Sequence, residues 1–209
     1  MPAIAARPVA STRHRLRPRL HVASVALLVA ALALSGCASK SEAELASDAL
    51  AAGLAAHKAG KVDEAAGDFR ECLKHDPRNK FCFFNLGVIA QGQNNPAEAE
   101  NDYRIALGID PNFSSAIWNL ALVRAGAGAT AEAIDLWRHY LRLDASAAGA
   151  HWNLALLLRA AGNQAEGDAE MTRALQLDPS LADPASPGAS APSPSGSVAA
   201  GSPGASASP

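Results

Sequence analysis

The sequence predicts an all-α fold made of stacked helix-turn-helix units, and three observations carry that prediction. Asp-Pro recurs at Asp76-Pro77, Asp110-Pro111 and Asp178-Pro179, and Asp144-Ala145 holds the same place between them, so one pattern returns every 34 residues. Asn-Leu followed by glycine or alanine falls in register at Asn85-Leu86-Gly87, Asn119-Leu120-Ala121 and Asn153-Leu154-Ala155. A glycine or another turn-forming residue sits mid-block at Gly60, Asn94, Gly128 and Gly162. Self-similarity at this period marks an array of supersecondary units that bury their apolar faces by stacking. Low aromatic content (5%) suits closely packed helices better than a sheet core.

Residues 1–36 read as a targeting signal. The first 21 carry Arg7, Arg13, Arg15, Arg17 and Arg19 and no acid, and an apolar stretch from Val22 to Leu34 follows. A basic flank, a short apolar core and a small-residue cleavage region make a secretory signal. As a helix, the apolar stretch would rise about 20 Å, short of the roughly 30 Å of a hydrocarbon core, so it is not expected to span a membrane.

Leu34-Ser35-Gly36-Cys37 resembles the lipobox of bacterial lipoproteins. The resemblance implies cleavage before Cys37, a diacylglycerol thioether on its sulfur, and an acylated linker over 37–45. Buried acyl chains contribute about 0.8 kcal/mol per CH₂, so two or three hold firmly. Ala38, in place of aspartate, implies by the same resemblance an outer-membrane location facing the periplasm of a two-membrane bacterium. The other reading is a secreted protein in which Cys37 is incidental. Without residues 1–36 the chain keeps 13 Lys and Arg against 20 Asp and Glu, a net charge of −7. No clustered basic face is present, so no nucleic-acid partner is expected.

The blocks align without insertion at 46–79, 80–113, 114–147 and 148–181. Each carries a small residue (Ala65, Ala99, Ala133, Gly167), then a large one (Phe69, Tyr103, Trp137, Met171), then a further inward position (Cys72, Ala106, Tyr140, Ala174). This pattern resembles the tetratricopeptide repeat. The resemblance implies a right-handed α-solenoid of four units, each an A helix and a B helix, in which the small positions let paired helices approach. Three departures are visible. The first block has Ala49, Ala52 and Ala56 where larger core residues are usual, which predicts loose packing. Arg124 stands where an aromatic is common, and Gly167 lies inside a helix, at a cost of about 1 kcal/mol against alanine. No polar helix seals the last repeat, so its B helix is either polar enough alone or covered by a partner. The chain is expected to be a monomer or to self-associate weakly through this end.

In the same family, A-helix positions 2, 5, 6, 9 and 12 line the inner wall of the superhelix. Here position 5 reads Leu50, Phe84, Trp118 and Trp152, and position 6 reads Ala51, Asn85, Asn119 and Asn153. The expected groove thus carries aromatics beside an asparagine column, with Phe84, Asn85, Trp118, Asn119, Trp152 and Asn153 as its working residues. A side-chain amide offers both donor and acceptor, so asparagines spaced one per repeat can pair with an extended peptide backbone of any sequence. Tryptophan adds large rigid contact, the usual makeup of binding hot spots. The bland alternative is that the tryptophans only cover neighbouring helices. A carboxylate clamp for chaperone C-termini is disfavoured, because Leu50 and Leu54 occupy places that need polar residues.

No nucleophile elbow, phosphate loop, HExxH or CxxC occurs, and no cofactor or metal is expected. His57, His75, His139 and His151 are scattered and read as surface or packing residues. Cys72 ends one B helix and Cys82 begins the next A helix, so a bridge or two independent packing residues both fit. From Leu181 onward the chain is almost wholly Pro, Ala, Ser and Gly, which cannot offset its ordering entropy, so 182–209 is expected to be disordered. The resulting expectation is a non-enzymatic, membrane-anchored scaffold that binds a protein or peptide in envelope assembly, such as pilus-secretin assembly or docking of peptidoglycan enzymes. The alternatives are a structural spacer with no groove ligand and a non-catalytic subunit of an envelope enzyme complex.

Overall fold

The computed structural model describes residues 40–183. The targeting segment, Cys37 and residues 184–209 lie outside the described residues. From Ser41 onward the described chain belongs to one compact unit. It contains eight helices and no strand among the described residues: α1 Glu42–Lys58, α2 Val62–His75, α3 Lys80–Gly92, α4 Pro96–Ile109, α5 Ser114–Gly126, α6 Thr130–Leu143, α7 Ala148–Ala160 and α8 Gln164–Leu177. Each helix packs chiefly on its sequence neighbours, most closely within the pairs α1/α2, α3/α4, α5/α6 and α7/α8. This is the one-dimensional order of an α-solenoid, in which each hairpin is completed by the next.

The two kinds of turn explain the 34-residue rhythm. Within each hairpin, Gly60, Asn94, Gly128 and Gly162 take φ of 75°, 58°, 75° and 86°. Only residues tolerant of left-handed backbone fit there, which is why three of the four are glycine and one is asparagine. Between hairpins the helices end on Asp76, Asp110 and Asp144, and α8 ends the same way on Asp178. Each aspartate accepts a hydrogen bond from the backbone N–H two residues on, at Arg78, Asn112, Ser146 and Ser180 (2.9–3.1 Å). Asp144 builds this turn before Ala145, so the aspartate, and not the proline, sets the junction.

α1 begins at Glu42, four residues ahead of the aligned block. A capping box lengthens it: Ser41 Oγ accepts from the Glu44 N–H, and the Glu44 carboxylate accepts from the Ser41 N–H. The bridge between Cys72 and Cys82 is formed, with Cα atoms 6.6 Å apart, so the two-packing-residue reading gives way to a covalent tie between α2 and α3. Both sulfurs lie in the apolar cluster with Ala46, Ala56, Phe69 and Ile89. The alanine-rich first hairpin is therefore stapled to the second.

Gly167 turns out to be required. A Cβ there would stand 2.7 Å from Arg159 Cγ and 3.0 Å from the Ala155 carbonyl oxygen, so the missing side chain lets α8 close on α7. Arg124 is explained by charge: it bridges Glu100 and Glu132 (2.7 Å each), and Arg104 contacts the same two carboxylates, closing a ring across α4, α5 and α6.

Candidate functional site

The six residues expected to line the groove sit on α3, α5 and α7, the A helices of the last three hairpins. Their surroundings differ. Asn85 Nδ2 donates to the Phe81 carbonyl (2.7 Å), and Asn153 Nδ2 donates to the Gly149 carbonyl (2.8 Å). Each bond runs to the residue four back in the same helix and fixes the amide's rotamer. An amide has two N–H donors and an acceptor oxygen, so one N–H and the carbonyl remain for a ligand. Asn119 instead faces the Tyr103 hydroxyl and partly offsets the rise in its pKa, and that hydroxyl donates to Gln91 (2.8 Å). Burial drives the Tyr103 hydroxyl well above the usual phenol range, so it stays protonated and can donate.

Position 5 lies at the seam between successive A helices, and the neighbour decides what each aromatic does. Phe84 is half-buried against Phe113 and Tyr103, with ring centroids 5.2 and 5.8 Å away. Trp118 is only 9% exposed. It meets Trp137 and Tyr140 edge-on at 4.7 and 5.1 Å, and a Cβ on Gly149 would stand 3.0 Å from its ring. The expectation that Trp118 works in the groove is thus corrected: glycine at the start of α7 lets the indole slide beneath that helix and join the core. Among the described residues no further hairpin follows the one that carries Trp152, and its Nε1 donates to the Ala182 carbonyl (3.0 Å).

Arg159 falls at position 12 of the last A helix, on the expected inner wall, but is not among the six working residues. It stands seven residues beyond Trp152, two helical turns along the same face. Its Nε donates to Asp168 (2.7 Å), and its two terminal nitrogens donate to Asp183 (2.8 and 3.2 Å). The signal that could have found it is the pairing of an inner-wall arginine with Gly167 opposite.

At the other end, a recess of about 450 Å³ is lined by Ala46, Leu50, Leu54, His75 and Phe81 among others. His75 Nδ1 lies 2.6 Å from Glu42, and that hydrogen bond holds the imidazole's pKa above its ordinary value. His151 bridges Glu170 and the Ala145 carbonyl, and His139 contacts Asn112. These are cross-helix ties. Among the described residues no group of three or more candidate ligands could hold a metal ion, and no helix is long and apolar enough to cross a membrane.

Two models of the tetratricopeptide repeat match, one over residues 50–112 and 84–148 and the other over 148–181. The chain belongs to the tetratricopeptide-repeat family. Solved structures agree on the fold. MamA from Desulfovibrio magneticus RS-1 is 18% identical with a TM-score of 0.60, covering 68% of this chain and 78% of its own. PilF of Pseudomonas aeruginosa is 20% identical with a TM-score of 0.58, covering 67% and 64%. YrrB, described as a tetratricopeptide protein with an unusual peptide-binding site, is 21% identical with a TM-score of 0.58, covering 76% and 82%. No curated protein matches this tetratricopeptide chain by sequence.

Proposed function

We propose that this tetratricopeptide protein is a lipid-anchored scaffold that grips an extended segment of a partner protein along the face of α3, α5 and α7. The observation that carries the reading is the locking of Asn85 and Asn153 by carbonyls of their own helices. An amide held in one rotamer presents its remaining donor and acceptor without further entropic cost, which favours binding a peptide backbone. Phe84 and Trp152 add apolar contact beside that ladder, while Trp118 supports it from the core. YrrB's peptide-binding site lends the reading weight by likeness of fold.

The proposal places the anchor at Cys37 and the array in the bacterial envelope, at the outer membrane facing the periplasm. There it would serve assembly of an envelope machine, such as a pilus secretin, or dock a peptidoglycan enzyme. Because α1 already begins at Glu42, only residues 37–41 can extend between the anchor and the array. Their reach is at most about 18 Å at about 3.3–3.6 Å per residue, so partners would sit near the membrane surface.

Crosslinking in native membranes tests the groove, comparing wild type with Asn85→Ala/Asn119→Ala/Asn153→Ala. The triple variant is expected to lose specific crosslinked partners while keeping its helical circular-dichroism signal. Identical partner sets from both baits would make the array a spacer.

A further inference from the structure

On the last hairpin the chain after α8 folds back onto α7. The turn at Asp178 repeats the three internal junctions: the Leu181 N–H donates to the Asp178 carbonyl (3.2 Å), as Phe113 does to Asp110 (3.1 Å). The chain is thereby delivered where a fifth A helix would begin, and it lays Ala182 and Asp183 across α7. Trp152 reads the Ala182 carbonyl, and Arg159 reads the Asp183 carboxylate with both terminal nitrogens. The arginine is aimed in advance. Its Nε is taken by Asp168, which Gln164 also holds (3.0 Å), so only the two-pronged end is left for a ligand. A planar fork of that kind matches a carboxylate bidentately. Gly167 opposite leaves the space that the Arg159 stem fills. Asp183 and Arg159 are 16% and 17% exposed, so the pair is largely withdrawn from water.

We propose that Trp152 and Arg159 form a recognition subsite for an acidic extended peptide, one backbone carbonyl followed by an aspartate. Ala182-Asp183 is its resident ligand, which a partner must displace. The inference rests on the peptide-groove reading and adds the chemistry that the partner needs. Asp183 lies only six residues past the end of α8, so its effective concentration at the site is on the order of millimolar or more. A free peptide is therefore masked in the wild-type protein unless the resident carboxylate is weakened. Partners that engage Asn85 and Asn119 at the same time gain the avidity to overcome this mask.

The test uses the full chain as wild type, Asp183→Asn, Asp183→Asn/Arg159→Met and Asp183→Asn/Trp152→Phe. Each is titrated by fluorescence anisotropy with a fluorescein-labelled, end-capped Ser-Leu-Ala-Asp-Pro peptide and its Ser-Leu-Ala-Asn-Pro counterpart. Asp183→Asn is expected to bind the aspartate probe at least tenfold more tightly than wild type does, and to prefer it at least tenfold over the asparagine probe. Adding Arg159→Met should abolish that preference, and adding Trp152→Phe should weaken binding severalfold while leaving the preference for aspartate. Equal binding of the two probes by Asp183→Asn, or no binding of either, overturns the proposal and leaves the contact as an end cap. Crosslinking through the asparagine column is measured separately, so loss of this subsite and loss of the groove reading are told apart.

Discussion

Gly87 sets two effects of opposite sign against each other, and the geometry decides between them. Replacing an interior helical glycine with alanine gains about 1 kcal/mol from backbone entropy. At Gly87, however, the new Cβ would lie 2.6 Å from Tyr103 Cε1 and 2.8 Å from Cδ1, where ordinary contact begins at 3.4 Å. Tyr103 cannot recede. Its ring is fully buried and its hydroxyl donates to Gln91. Overpacking of this kind costs about 1–3 kcal/mol, and a strained hydroxyl bond adds about 1 kcal/mol. Gly87→Ala is thus expected to lose about 1–3 kcal/mol net, a fall of roughly 3–10 °C in Tm for a domain of this size. Gly67 in α2 provides the control, since nothing lies within 4 Å of its hypothetical Cβ. Gly67→Ala should gain up to about 1 kcal/mol. Thermal melts followed by circular dichroism compare the two. If Gly87→Ala melts as high as Gly67→Ala, the close approach of α3 and α4 is not what the glycine is for.

Asp102 is 9% exposed on α4, and burial, reinforced by Glu98, pushes its carboxyl up to about 6. The folded chain then holds that proton more tightly than the unfolded one. Its contribution to stability is full below pH 3.8 and is lost as pH rises through 6. Asp102→Asn is expected to be more stable than wild type at pH 8 by at most about 3 kcal/mol. The gap should shrink below pH 6 and close near pH 4, and denaturant titrations showing a pH-independent gap would refute the assignment. The Cys72–Cys82 bridge should contribute about 3 kcal/mol by closing its short loop. A reductant should therefore lower the Tm of wild type but not of Cys72→Ala/Cys82→Ala, with α1 and α2 exchanging amide protons first. Equal exchange across all hairpins would show that the staple does not hold the first repeat.

Helix positions, hairpin pairing and the left-handed turn within each hairpin were legible in the sequence because all are local. The turn between hairpins read as proline-set until the structure showed the aspartate making it. A left-handed residue and an Asx turn recurring at one interval fix where each helix stops, whatever the rest of the chain does. The asparagine column was legible for the same reason, since one residue per repeat falls on one helix face. The fate of the aromatics was not. Trp118 and Trp152 share a register position, yet one is core and the other meets the chain's own Ala182. The difference is the next element: Gly149 makes room over Trp118, while over Trp152 the described residues place the turn after Asp178 and Ala182. Gly167 read as a helix defect until Arg159 was seen beside it, and the cysteines left two readings open until α2 and α3 brought them together. The repeat period by itself determined what each residue's helix would be. Only packing decided which side chains were left to meet a partner, because burial depends on the neighbour across the seam and not on the residue's own register.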